Sequence, residues 1–454
     1  MNTNIRDLKI TRDQPLLDAI KVIEGNRIQI VFVVDQNDVL VGLLTNGDVR
    51  RFLLNGGQTS GLVEQCMNRD FRSLCLDPDR ESLLKLFDLG FNAVPLVDAE
   101  GRLVDYATPD LLPTTKEGPI LVRSRAPVRI GFSGGGTDLT YYFVENKGVV
   151  LNTSIALYAH ATLIPSNGPE ISIYSHDIDR VEHYQSLREL LDHPDKGLIS
   201  SVVSVIRPTY GFELYVHSDF PVGSGLGGSS AVAVSVFAAF NEMRHDSWSA
   251  YDMAELAFHA ERLCFGIAGG WQDHYASAFG GFNLIELDGV RNLVNPIRLE
   301  PQTCNELEEC LILCHTGISH NSGAIHKQQQ ASVNNSAGKE YLSGLGDLCD
   351  RMHKHLLRQE LDEFGRCLHE AWMLKKQLSK SISGTSLDET YTAAIAAGAL
   401  GGKILGAGGG GFFLFYVPTR QRAAVSRLLQ DKGCRIYPFR LDREGVTSWK
   451  RKLI

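Results

Sequence analysis

Apolar positions fall into two regimes along this chain. Over the first 112 residues they come in short runs whose spacing alternates between helical and strand periods. Residues 15–23 are spaced as a helix, 30–35 as a strand, and Asn37-Asp38 as a turn. Residues 40–44 form a second strand, and Thr45-Asn-Gly-Asp48 opens a helix that runs to Leu54. The same order then returns: helix 82–89, strand 93–98, turn Glu100-Gly101, strand 103–106, and a shortened Thr108-Pro-Asp110. A polar stretch at 113–119 reads as a linker. Beyond it the runs lengthen. Residues 212–220 predict a strand ending in Ser218-Asp219, 231–240 an Ala-rich buried helix, and 412–417 a wholly apolar strand.

The most informative polar break lies between that first strand and its helix: Pro221-Val-Gly223-Ser224-Gly225-Leu226-Gly227-Gly228-Ser229-Ser230. A strand, a glycine-rich turn and a serine-capped helix make an anion site, because backbone N–H groups and the helix dipole converge there. A phosphate is the expected ligand. Gly223, Gly225 and Gly228 also spell G-x-G-x-x-G, with Glu242 downstream as a ribose-binding acid. Glu242, however, falls at the end of the same helix and not after a second strand, which argues against a dinucleotide. No Walker A sequence occurs.

Three other segments carry chemistry. Arg125-Ala-Pro-Val-Arg129 runs as a strand into Gly134-Gly135-Gly136-Thr137-Asp138. The glycines permit a tight turn against a ligand, and Asp138 can accept from hydroxyls or cap a helix. A helix carrying Glu261 breaks at glycines and restarts at Gln272-Asp273. Two carboxylates brought together in this way suit Mg2+ and a general base, although Asp273 taken alone could equally be a cap. Gly401-Gly-Lys403-Ile-Leu-Gly406-Ala-Gly408-Gly409-Gly410-Gly411 precedes the apolar strand 412–417, a place for close backbone packing and not for a linker.

Composition narrows the classes. The 454 residues allow two or three domains, and 43% hydrophobic with 22% charged content is ordinary for a globular chain. A net charge of −8 argues against nucleic acid as the main partner. The 9 cysteines lack any C-x-x-C pair and point to a reducing compartment. Cys310 and Cys314 could share one face of an element, but no partner ligands for zinc stand near them in sequence. The N-terminus has no apolar signal region, and no apolar run is long enough for a bilayer, so no membrane role and a cytoplasmic location are expected.

Taken in order, the glycine segments and the two carboxylates resemble the GHMP family of small-molecule kinases over residues 121–454. Arg125-Ala-Pro-Val-Arg129, Gly134–Asp138, Gly270-Trp-Gln-Asp273-His-Tyr-Ala and Thr316-Gly317-Ile-Ser resemble especially its heptose 7-phosphate kinases, with His320 where that branch has arginine. The resemblance implies an α/β (α+β) fold with lobes at 121–300 and 301–454, joined through 114–120 to a module at 1–113. It implies that loop 221–231 wraps the ATP phosphates, supported by Gly408, Gly409 and Gly410. Ser229 or Ser230 with Glu261 would hold Mg2+; the choice stays open because many relatives have a hydroxyl residue where Gly228 stands. Asp273 would take a proton from the sugar's anomeric hydroxyl beside Arg129, while Gly135, Gly136, Thr137 and Asp138 face the sugar. A phosphorylated acceptor would need a basic cluster, for which Arg123, Arg125, Arg180 and Lys327 are candidates. Alternatives are an unphosphorylated sugar such as fucose, or a nucleotide sensor without turnover.

Residues 1–113 resemble a pair of CBS domains. Gly42-x-x-Thr45-x-x-Asp48 matches that family's ribose-contacting segment, whereas Asp105 replaces the glycine in the second copy. The resemblance implies an adenine nucleotide at Thr45 and Asp48 and a homodimer or higher homo-oligomer. The same two residues also read as a plain helix cap.

Overall fold

A computed structural model describes residues 5–110, 120–318, 336–378 and 382–452. The linker at 113–119, His320 and Lys327 lie outside the described residues. The chain divides into two units, Met1–Glu117 and Gly118–Ile454.

In the first unit the strands Lys9–Thr11, Ile30–Val34 and Leu40–Thr45 form a sheet that is parallel at the first pairing and antiparallel at the second. Leu74–Cys75, Val94–Val97 and Leu103–Ala107 repeat that pattern. The duplication legible in the apolar spacing is therefore a duplication of topology. Every residue of Ile30–Val34 is buried because both faces are covered. Val31 and Val33 pack with Leu16, Ala19 and Ile23 of the helix Leu16–Gly25, while Ile30, Phe32 and Val34 meet Leu103 and Tyr106 of the second copy. A strand covered on both faces reads as a continuous apolar run, as this one does. Asp110 ends the described part of the second copy before any helix begins.

In the second unit the 19-residue strand Gly148–Ser166 is the spine. One edge pairs with Ile120–Ser133; the other pairs first with Phe282–Leu287 and then with Gly211–Ser218. The strand Thr447–Lys452 closes the outer edge against Ile120–Ser133. The helix Gly228–Asn241 is apolar nearly all round, and it is buried nearly all round against this sheet. A second, antiparallel sheet has the order Gly401–Ile404, Phe412–Tyr416, Leu311–His315, Arg435–Tyr437. The helices Ser336–Leu357 and Leu361–Leu378 pack on each other between these layers.

The structure answers several alternatives that the sequence raised. Glu242 caps the C-terminal end of Gly228–Asn241 and accepts from Ser448 Oγ at 2.8 Å, a structural task with no second strand near it in the chain. Cys310 ends the helix Pro301–Cys310 whereas Cys314 lies inside the following strand, so the two share no element face. Among the described residues no group of three or more His, Cys, Asp or Glu side chains is arranged to hold a metal. None of the described helices is long and apolar enough to cross a membrane.

Candidate active site

The strand Gly211–Ser218 delivers the chain into a loop where Gly223, Gly225 and Gly227 all have positive φ, at 73°, 75° and 76°. Gly227 is the N-cap of the helix, which starts at Gly228, earlier than the apolar run suggests. No serine caps it. The left-handed glycine makes the bend, and Ser229 and Ser230 fall in the first helical turn with their hydroxyls free to reach elsewhere. Both reach Glu261: Ser229 Oγ donates to Oε1, and Ser230 Oγ donates to Oε2 at 2.7 Å.

Glu261 is fully buried on a wide π-helical turn, His259–Cys264, that continues the helix Ala250–Phe258. Such turns recur at functional positions because they re-aim a side chain without ending the helix. Burial opposes ionisation of Glu261, but the neighbouring His274 and Arg262 and the hydrogen bonds outweigh it and bring its pKa down to about 2. His274 Nε2 lies 2.5 Å from Oε2, and this fully buried histidine had no spacing signal in the sequence.

Asp273 stands at the second position of the helix Gln272–Phe279. Arg129 donates to its Oδ1 from both Nε and Nη2 at 2.8 Å, while Nη1 donates to Gly225 O at 2.7 Å. One guanidinium thus ties the carboxylate to the glycine loop. A Cβ on Gly227 would lie 3.2 Å from Asp273 Oδ2, so the loop backbone closes directly over the oxygen that Arg129 leaves free. Asp138 Oδ1 accepts from Gly136 N at 2.9 Å and Oδ2 from Gln272 N at 3.2 Å. It therefore caps the helix of Asp273 from a distant part of the chain, and not the short helix Thr140–Phe143 that follows it. Burial, with the charge of Asp273 adding, raises the Asp138 pKa.

These groups share one pocket, walled by Arg129, Gly134, Gly135, Gly136, Asp138, Gln272 and Asp273. Lys375 and Lys403 complete the wall, and neither was singled out as a site residue from the sequence. Gln272 is 8% exposed and its Oε1 has no hydrogen-bond partner among the described residues. Thr137 does not reach this pocket. Its Oγ1 accepts from Val149 N at 3.0 Å and lies 2.8 Å from Gly134 O, which fixes the glycine turn from behind. In the Gly408–Gly411 run, Gly409 N donates to Ile382 O and Gly411 N to Ile318 O, while Leu405 and Gly406, just before it, touch the phosphate-type loop at Gly225. There a Cβ on Gly406 would stand 2.7 Å from Gly225 Cα, so only glycine lets the two backbones meet. Arg123, Arg125 and Arg180 stay outside: Arg125 lies over the Tyr158 ring at 4.7 Å and Arg180 pairs with Glu182.

Comparison with known proteins agrees with this architecture. Residues 197–281 match the N-terminal domain of GHMP kinases, 352–433 the GHMP kinase C-terminal domain, and 1–55 a CBS domain. A D-glycero-alpha-D-manno-heptose 7-phosphate kinase of Campylobacter jejuni is 35% identical over 337 residues, 72% of this chain and 99% of that protein. An L-fucokinase/L-fucose-1-P guanylyltransferase of Bacteroides fragilis is 28% identical, but the match spans only 35% of its length. Among solved structures, a D-glycero-D-manno-heptose 1-phosphate kinase from Bacteroides thetaiotaomicron superposes with TM-score 0.61 at 31% identity, covering 72% of this chain and 98% of that one. A Lactococcus lactis galactokinase (TM-score 0.58, 18% identity, 73% of this chain and 95% of that one) shares the fold. With a phosphate-type loop, two buried carboxylates and relatives of this kind, the chain belongs to the GHMP kinase family, as a sugar kinase whose donor is ATP, with a CBS domain at its N-terminus.

Proposed function

We propose that the protein transfers the γ-phosphate of ATP to the anomeric C1 hydroxyl of D-glycero-D-manno-heptose 7-phosphate, in the service of nucleotide-activated heptose and surface-glycan synthesis. The observation that carries the reading is the Asp273–Arg129–Gly225 bridge, which sets a carboxylate oxygen against the loop suited to phosphates. Similarity to the Campylobacter jejuni kinase supports the choice of acceptor.

In this reading residues 221–230 surround the donor phosphates with backbone N–H groups at a helix start. Asp273 Oδ2 accepts the proton of the C1 hydroxyl as the oxygen attacks phosphorus. Arg129 holds Asp273 in place through two hydrogen bonds to Oδ1. Asp138 and the Gly134–Gly136 turn hold the sugar, so most of the rate comes from positioning and charge. The residues present fit Mg2+: Ser229 Oγ and Glu261 Oε1 are hard oxygen donors facing each other, whereas Oε2 is occupied by Ser230 and His274. Ser229, the half-buried serine of the two, is the ligand of choice. When bound, the cation neutralises charge on the donor phosphates. For the N-terminal unit we propose an adenine nucleotide beside Thr45 and Asp48.

Incubating the protein with Mg-ATP and a panel of sugars and sugar phosphates, with products identified by NMR, tests the reading. A heptose 1,7-bisphosphate is the expected product. Turnover of fucose or another neutral sugar alone would overturn the acceptor, and silence with tight ATP binding would favour a sensor.

A further inference from the structure

Among the described residues, two ammonium groups in the pocket wall have no carboxylate to answer them. Lys403, on the strand Gly401–Ile404, is 8% exposed and donates to Phe132 O at 2.9 Å. Lys375, on the helix Leu361–Leu378, donates to Gly406 O at 2.5 Å, with Ile404 O at 3.5 Å. Among the described residues their polar contacts are backbone carbonyls only. Both carboxylates of the pocket are already engaged, Asp273 by Arg129 and Asp138 by the N–H groups of Gly136 and Gln272. An ammonium taken out of water without a counter-charge is destabilised. Burial, with Arg129 adding, lowers the Lys403 pKa to about 8; burial, with Lys403 and Arg129 next, lowers that of Lys375 as well. The wall is thus short of one anion.

The position says which molecule brings it. No residue of the 221–230 loop lines this pocket; Arg129 and Asp273 stand in its wall, with the Gly134–Gly136 turn, Asp138, Gln272, Tyr341, Leu342 and the two lysines. An anion here belongs to the acceptor and not to ATP. The unpartnered Gln272 Oε1 and Asp138 can receive hydroxyls, so the pocket divides into a hydroxyl-reading side and a cationic side. We propose that Lys375 and Lys403 form the subsite for a phosphate ester carried by the acceptor sugar, and so select a sugar phosphate over the neutral sugar. The inference rests on the acceptor reading above and names the residues that enforce it.

Steady-state kinetics on the full chain, wild type against Lys375→Gln, with heptose 7-phosphate and with the same heptose lacking the phosphate, test this. The ratio of kcat/KM for the phosphorylated over the neutral acceptor should fall on the order of 30–100-fold in the variant, the value of one lost charge-assisted hydrogen bond, with the loss in KM. Lys375→Arg should restore part of it. A wild-type measurement guards against misfolding: inorganic phosphate should compete with the acceptor and not with ATP. An equal loss of kcat on both acceptors would assign Lys375 to the transferred phosphoryl group and overturn the subsite, as would phosphate competing only with ATP. If wild type uses the sugar phosphate and the ratio is unchanged in Lys375→Gln, the subsite alone fails. If wild type uses only the neutral sugar, the acceptor reading fails and the subsite with it.

Discussion

Asp273 shows one oxygen to the protein and the other to the loop, and that division decides what its replacement should do. Asn at 273 keeps the bond to Arg129 but cannot accept a proton, so Asp273→Asn should lose about 10²–10⁴-fold in kcat. Nucleotide affinity, measured by titration, should hold because the 221–230 backbone is untouched; near-normal turnover by the folded variant would remove Asp273 as base. A second expectation concerns pH. Lys403 faces Arg129, Lys375 and Cys349, none of them a carboxylate. Its lowered pKa means the charged form is present below about pH 8 and lost above it. Affinity for a phosphorylated acceptor should therefore rise as the phosphate becomes a dianion near pH ~6 and decline above about 8. A flat profile through pH 9 would deny Lys403 that contact. Residues differ in how far sequence exposes them. Glu261 and Asp273 stand at breaks in helical spacing, which marks them. Lys375 sits beside Lys376 in an ordinary amphipathic helix, yet Lys376 pairs with Asp388 at the surface while Lys375 turns into the pocket. Nothing in the local pattern separates the two.

At the level of elements, periodicity was a good guide and termini were not. The apolar run 231–240 located its helix, but the true start at Gly228 depends on a left-handed glycine, and its serines serve Glu261 on another helix. Gly227→Ala should expose that dependence. A left-handed alanine is strained by roughly 1–2 kcal/mol, and the added methyl would press on Asp273 at 3.1 Å. A lower denaturant midpoint at unchanged slope is expected, with a fall in kcat larger than the loss of folded protein explains. Asp138 teaches the same lesson from the other side. Its capping of Gln272–Phe279 spans 134 residues of sequence, so no local reading could tell a cap for the next helix from a cap for a remote one. Arg125–Arg129 was legible as a strand and Gly148–Ser166 was not, and the register that places Arg129 beside the loop is a property of the assembled sheet.

Across the whole molecule, the two-copy organisation of the N-terminal unit was legible because the same order of apolar runs returns, and the sheet order repeats with it. Whether the unit takes a ligand turns on how Asp48 spends its oxygens. Oδ2 receives Thr45 N at 2.9 Å and Thr45 Oγ1 at 2.6 Å, closing a reciprocal cap on the helix Asn46–Leu54. Among the described residues Oδ1 receives only Arg51 Nη2, at 2.5 Å, and that arginine is 72% exposed. An ion pair to so exposed an arginine contributes little, about 0–1 kcal/mol, so in the reading proposed for this unit a ribose diol would displace Arg51 while the cap survives. Two substitutions separate the roles. Thr45→Ala should lower the stability of this unit by about 1 kcal/mol through the lost cap. Asp48→Asn retains a side-chain oxygen for the cap but loses the charge offered to the diol, so AMP binding by calorimetry should weaken at least ~10-fold, the equivalent of about 1.4 kcal/mol, with little change in melting. Equal AMP affinity in wild type and Asp48→Asn would leave Asp48 a cap and nothing more, and the kinase would then have to be regulated, if at all, through some other surface of the unit.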